Sequence, residues 1–154
     1  MAPLGFRIQT DLGVIAMRFH ADAAPQTTSY IAALIKSGAY NGKTFYRSDF
    51  VIQCGLHPAE CPVPNLTVNE TNLAPKIGNS RGKAAVAHWD TPDCGNSEFF
   101  INLQANPHLD EAYGGYCVFA EVADKNSYAT VDTIAKAIAS GAQQTIKINA
   151  MVVD

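Results

Sequence analysis

The chain has 154 residues, 47% hydrophobic and 16% charged, a balance that suits one domain burying its own core without disulfide or metal staples. The net charge of −3 comes from 11 basic and 14 acidic residues with no basic run, so nucleic acid is not an expected partner. No stretch of about 20 apolar residues is present, and Met1–Arg7 lacks the charged start and apolar centre of a secretory leader; no membrane span is expected, and the cytoplasm is the default address.

The opening reads as a hairpin. Phe6 to Thr10 alternates, Asp11-Leu12-Gly13 turns, and Val14 to Phe19 continues as a strand. Asp22-Ala23-Ala24-Pro25 leads into a helix on which Ile31, Leu34 and Ile35 recur at helical spacing until Gly38 stops it. A second helix is expected from about Val131 to Ser140, with Val131, Ile134, Ala135 and Ile138 on one face and Gly141 as terminator. The remaining strands are expected near 44–47, 50–54, 84–88, 98–102, 116–122 and 144–153. Many short strands with only two one-sided helices indicate a mainly β chain, an antiparallel barrel or a sandwich, and periodicity alone does not choose between them. The segment from Gly55 to Gly82 contains Pro58, Pro62, Pro64, Pro75 and Gly78 and has little periodicity, which reads as a long functional loop region.

Four cysteines are present. Cys117 sits in the apolar run Tyr116-Cys117-Val118-Phe119 and reads as a buried thiol, and a reducing compartment disfavours a disulfide. Cys54, His57 and Cys61 have a spacing that suits three zinc ligands, with Cys94 or His88 as a fourth, or, for Cys54 and Cys61, a redox pair. Only half of a metal motif is present, so ordinary loop residues and no metal are expected.

Thr44-Phe45-Tyr46-Arg47-Ser48-Asp49-Phe50-Val51-Ile52-Gln53 sets an arginine beside an aromatic and an amide within strand-like sequence. If these share a face, they suit a reaction with no nucleophile and no proton to move. Further on come Asn79-Ser80-Arg81-Gly82-Lys83-Ala84-Ala85-Val86-Ala87, Asn96-Ser97-Glu98-Phe99-Phe100-Ile101-Asn102, His108-Leu109-Asp110 and Tyr116-Cys117-Val118-Phe119. In this order the blocks resemble the cyclophilins, peptidyl-prolyl cis-trans isomerases, and the likeness runs from Leu12-Gly13 to Val152-Val153.

The resemblance implies a closed eight-stranded antiparallel barrel capped by two helices, with its site on the outer face because side chains fill the interior. It implies isomerisation of X–Pro bonds in client proteins, without a cofactor, by a monomer. Arg47 is the implied catalytic residue. Phe50, Val51, Phe100 and Leu109 match the family's proline pocket, with Phe100 as its floor because alternation turns Phe99 the other way. Gln53, Ala87, His88, Glu98, His108 and Tyr116 match positions that contact the peptide.

Four departures from the family pattern carry expectations. Only Ser48 and Asp49 separate Arg47 from Phe50, where the family commonly has four residues, which brings Asp49 near enough to pair with Arg47 and draw on its donors. Glu98 replaces a usual glutamine, Tyr116 a usual histidine, and His108 the tryptophan of cyclosporin-sensitive members, so cyclosporin should bind weakly. The alternative to catalysis is a module that grips proline segments with little turnover.

Overall fold

The computed structural model describes residues 4–56, 61, 63–64, 66, 69–72, 77–88 and 96–154, with the side chains of Asn72 and Tyr113 excepted. Eight strands close into an antiparallel barrel: β1 (Gly5–Thr10), β2 (Gly13–Phe19), β3 (Thr44–Ser48), β4 (Val51–Cys54), β5 (Lys83–Val86), β6 (Phe99–Asn102), β7 (Val118–Val122) and β8 (Ile146–Val153). The order around the barrel is β1-β2-β7-β5-β6-β4-β3-β8. Two helices, α1 (Pro25–Lys36) and α2 (Lys125–Ala139), pack on it, α1 against β7 and β8 and α2 against β2, β3 and β4. Among the described residues no helix is long and apolar enough to cross a membrane.

Alternation sends every second side chain inward. Phe6, Ile8, Ile15, Met17, Phe45, Ile52, Phe99, Ile101 and Phe119 fill the barrel with the buried faces of both helices. In β8 the inward sequence is Ile146, Ile148 and then Met151, a break in the period of two. The register against β1 jumps there, from Gln9 opposite Ala150 to Thr10 opposite Ile148, so one extra residue restores the inward direction.

Some expected boundaries are corrected. β5 ends at Val86, not His88, and β7 begins at Val118, not Tyr116. Phe50 lies in the turn before β4. The second helix begins six residues earlier than its apolar face indicated, because Asp124 caps it by accepting from Ser127 N–H at 2.8 Å. Ser127 also ties the helix to the barrel. Its hydroxyl accepts from Ala16 N–H at 2.8 Å and docks the helix on β2.

Candidate active site

The site lies on the outside of the barrel, where a second apolar cluster forms. Val51 on β4, Ala85 on β5, Phe100 on β6 and Val118 on β7 all point outward from neighbouring strands, with Leu109 buried over them. Phe50, Ile77, Ala87 and Tyr116 pack around the edge. Phe100 is 4% exposed in this cluster while Phe99 is fully buried in the barrel, so the two phenylalanines do face opposite ways. Ile77, Ala85 and Val118 were not among the pocket residues expected from sequence. They line it because adjacent strands bring the same face together, a juxtaposition that no one strand records.

Leu109 and His108 sit on a 3₁₀ turn, Pro107–Asp110, held to the barrel by a polar network. Asp110 Oδ1 accepts from Asn79 N–H at 2.8 Å and from its side-chain amide at 2.9 Å. Asn102, fully buried on β6, donates to Asn79 Oδ1 at 3.0 Å and to the Lys83 carbonyl at 2.9 Å. Asn106 donates to Asn102 Oδ1 at 2.8 Å, and its amide also reaches the Phe50 carbonyl at 3.2 Å. Every one of these buried amides has partners, which makes the segment a rigid wall for the pocket.

Arg47 reaches the pocket through a bulge. Phe45 pairs with Cys54 and Arg47 with Gln53, leaving Tyr46 as an extra residue in β3. Simple alternation from the inward Phe45 would send Arg47 into the barrel. The bulge turns it outward beside Gln53. Its guanidinium carbon lies 5.1 Å from the centre of the Phe50 ring. Nε donates to Asp49 Oδ2 at 2.9 Å, and Nη1 donates to Gln53 Oε1 at 2.9 Å. The expected Asp49 contact is therefore present. Gln53 Nε2 donates in turn to the Tyr46 hydroxyl at 3.0 Å, and that hydroxyl donates to Glu98 Oε1. Burial, followed by the bond to Glu98, raises the Tyr46 hydroxyl well above the usual tyrosine range. Tyr46 escaped the sequence reading, since its role depends on the bulge.

The other expected residues occupy the rim. His108 is exposed and meets Phe50 edge-on, with ring centres 5.3 Å apart. His88 stacks on Tyr116 at 4.1 Å and 13°, with Nε2 2.7 Å from the Gly115 carbonyl, and Tyr116 in turn meets Phe100 edge-on at 5.7 Å. Ala87 follows β5, and its N–H is taken by the Glu98 carbonyl at 2.8 Å. Cys54 is fully buried in the barrel core, where burial first and the charge of Glu98 second push its thiol up. Burial likewise pushes the Cys117 thiol up to about 11. His57 and Cys94 lie outside the described residues, and among those described no cluster of three metal-binding side chains occurs.

Comparison with known proteins matches residues 5–153 to the family described as cyclophilin type peptidyl-prolyl cis-trans isomerase/CLD. Peptidyl-prolyl cis-trans isomerase B of Escherichia coli is 34% identical over 142 residues, 86% of this chain and 84% of the relative. A peptidyl-prolyl cis-trans isomerase of Acinetobacter baylyi is 31% identical over 120 residues, 75% of this chain but only 64% of its own length. A crystal structure of a Cryptosporidium parvum cyclophilin type isomerase, 23% identical, superposes with a TM-score of 0.80 over 99% of this chain and 98% of its own. The same protein in the presence of the dipeptide Ala-Pro superposes at 0.78, again 23% identical, over 97% and 98% of the two chains. By sequence and by fold, this chain belongs to the cyclophilin-type peptidyl-prolyl cis-trans isomerases.

Proposed function

We propose that the chain speeds rotation about X–Pro bonds in exposed segments of client proteins, with Arg47 as the catalytic residue and the Phe50, Val51, Phe100 and Leu109 pocket holding the proline ring. The barrier to that rotation, about 18–20 kcal/mol, comes from amide resonance. When the amide twists, resonance is lost and the prolyl nitrogen becomes pyramidal and gains a lone pair. A donor fixed beside the bond favours this state over either planar isomer, which lowers the barrier. No bond to a proton or nucleophile changes, so the reaction itself needs no cofactor.

The observation that carries this reading is the setting of Arg47. Asp49 and Gln53 hold two of its five N–H groups, and among the described residues three remain directed by that fork beside an apolar pocket. Phe50 and the outward face of β4–β7 supply a ring-sized apolar surface. Gln53, Ala87, His88, Glu98, His108 and Tyr116 form the rim over which the peptide backbone passes. The protein works as a cytoplasmic monomer, and cyclosporin binds it weakly because His108 offers less apolar surface than an indole.

Asp49 on Nε favours a second reading, a proline-binding module with poor turnover, because it draws on the donor strength of Arg47. Exchange NMR on a short X–Pro peptide separates the two. The expected result is catalysis by wild type and a rate at least about tenfold lower for Arg47→Ala, equivalent to about 1.4 kcal/mol of barrier. A wild-type rate equal to the uncatalysed one, with the peptide still bound, would establish the module instead.

A further inference from the structure

Glu98 is built into the site more firmly than a rim residue requires. Its N–H donates to Asn96 Oδ1 at 3.0 Å, and its carbonyl accepts from Ala87 N–H at 2.8 Å. Gly55, where the chain leaves β4, has φ +140°, and a Cβ there would stand 2.5 Å from Glu98 Cα and 2.7 Å from its Cγ. Only glycine permits so close a passage, and the stem of the Glu98 side chain rests against it.

The carboxylate then orders three further groups. Tyr46 has one hydroxyl proton, and it goes to Glu98. Its oxygen therefore meets Gln53 with a lone pair and accepts from Nε2 at 3.0 Å. With Nε2 so engaged, Gln53 Oε1 faces Arg47 Nη1 at 2.9 Å. The polarity is the same at each link, from an anion at one end to a cation at the other. We propose that Glu98 is a positioning residue: through Tyr46 it sets the amide orientation of Gln53, and so the direction in which Arg47 is held over the pocket. Without the carboxylate, the Tyr46 hydroxyl is free to donate as well as to accept, and it can do so to Gln53 Oε1 once the amide flips. The Arg47 bond alone then opposes that flip, which would put Nε2, a donor, against the guanidinium. This assignment rests on the isomerase reading above and changes the expected role of Glu98 from a peptide contact to an organiser of the arginine.

The test combines kcat and KM on an X–Pro peptide with side-chain NMR of Arg47 Nε–H and the Gln53 amide, for wild type, Glu98→Ala, Tyr46→Phe, Glu98→Gln and the Glu98→Ala/Tyr46→Phe pair. The first two variants should shift both resonances and lower kcat about fivefold, with KM within about twofold of wild type. The pair should be no worse than either alone, because both act through one chain of bonds. Glu98→Gln still offers Tyr46 an acceptor and should recover more than about half of wild-type kcat. Should Glu98→Ala fail to fold, Tyr46→Phe removes only one oxygen and carries the same comparison. Unmoved Arg47 and Gln53 resonances, multiplicative losses in the pair, or a change in KM alone would overturn the proposal. The resonances report on the chain of bonds even if wild type proves inactive, so failure of the isomerase reading is distinguishable from failure of this one.

Discussion

On the proposed reading, His108 is the rim position that governs cyclosporin binding without altering the pocket. It is exposed and touches Phe50 only by an edge, so it offers a bound apolar molecule little area. Replacing it with tryptophan adds on the order of 50–80 Å² of apolar contact, about 1–2 kcal/mol at roughly 25 cal/mol per Å². His108→Trp should therefore tighten cyclosporin binding by about tenfold, read by titration calorimetry; unchanged affinity would show that the indole is not what the ligand needs here. Phe100 is the opposite case, 4% exposed and edge-on to Tyr116. Phe100→Ala should raise KM at least about tenfold on an X–Pro peptide and cost about 3–5 kcal/mol of stability in urea unfolding. Both positions were expected from the sequence. Tyr46 was not, because adjacent residues on a regular strand face opposite ways, and only the bulge lets Tyr46 and Arg47 share the outer side.

At the scale of single elements, the two helices begin by different means. α2 carries its own cap in Asp124, a local signal lying ahead of the apolar stripe that marks the helix body. α1 has Pro25 in its first turn and Ala24 at the cap position, with no side-chain cap of its own. The missing acceptor comes from Glu70, 44 residues further along from Gln26. Glu70 Oε1 accepts from Thr27 N–H at 2.7 Å and from its hydroxyl at 2.8 Å, and Oε2 accepts from Gln26 N–H at 3.1 Å. A carboxylate at a helix N-terminus also opposes the positive end of the helix dipole. Glu70 is 6% exposed, so its loss leaves buried donors with nothing in return. Glu70→Ala should cost about 2–3 kcal/mol in urea unfolding, and a loss below about 0.5 kcal/mol would mean that solvent replaces the carboxylate.

Across the whole molecule, a charge cluster on the outer face ties three strands together. β7 lies between β2 and β5, and Glu121 on it stands opposite Arg18 and Lys83. Its carboxylate accepts from Lys83 Nζ at 2.7 Å and from Arg18 Nη2 at 2.8 Å. The Lys83 bond foremost, with Arg18 and the charge of Lys83 after it, lowers the Glu121 carboxyl from 4.5 to about 2. Between those values the unfolded chain binds a proton that the folded chain does not, so stability rises with pH across that window and is lost as pH falls through it. His20, 3.1 Å from Glu121, acts in the same direction, since burial holds its imidazole below the ordinary value and favours the neutral ring in the fold. Unfolding at pH 6, 4 and 2.5 should show this acid loss. Glu121→Gln should reduce it by about 1 kcal/mol, a figure kept small because Arg18 is largely in solvent. An identical pH dependence in the variant would remove Glu121 from the account.

The sequence by itself determined the elements and the family. Short alternating strands, Pro25, Gly38 and Gly141 at the helix boundaries, and the blocks around Arg47, Phe100 and Leu109 are all local in the chain. Its periodicity left barrel and sandwich open, because inward and outward alternation is common to both, and the family blocks alone pointed to a closed barrel. Tertiary structure alone decided the outward turn of Arg47, the distant cap on α1 and the path from Glu98 to Arg47. Each of these depends on which strands become neighbours and where a register slips by one residue. That information lies in the pairing of segments far apart in the chain, and a strand's own period of two does not contain it.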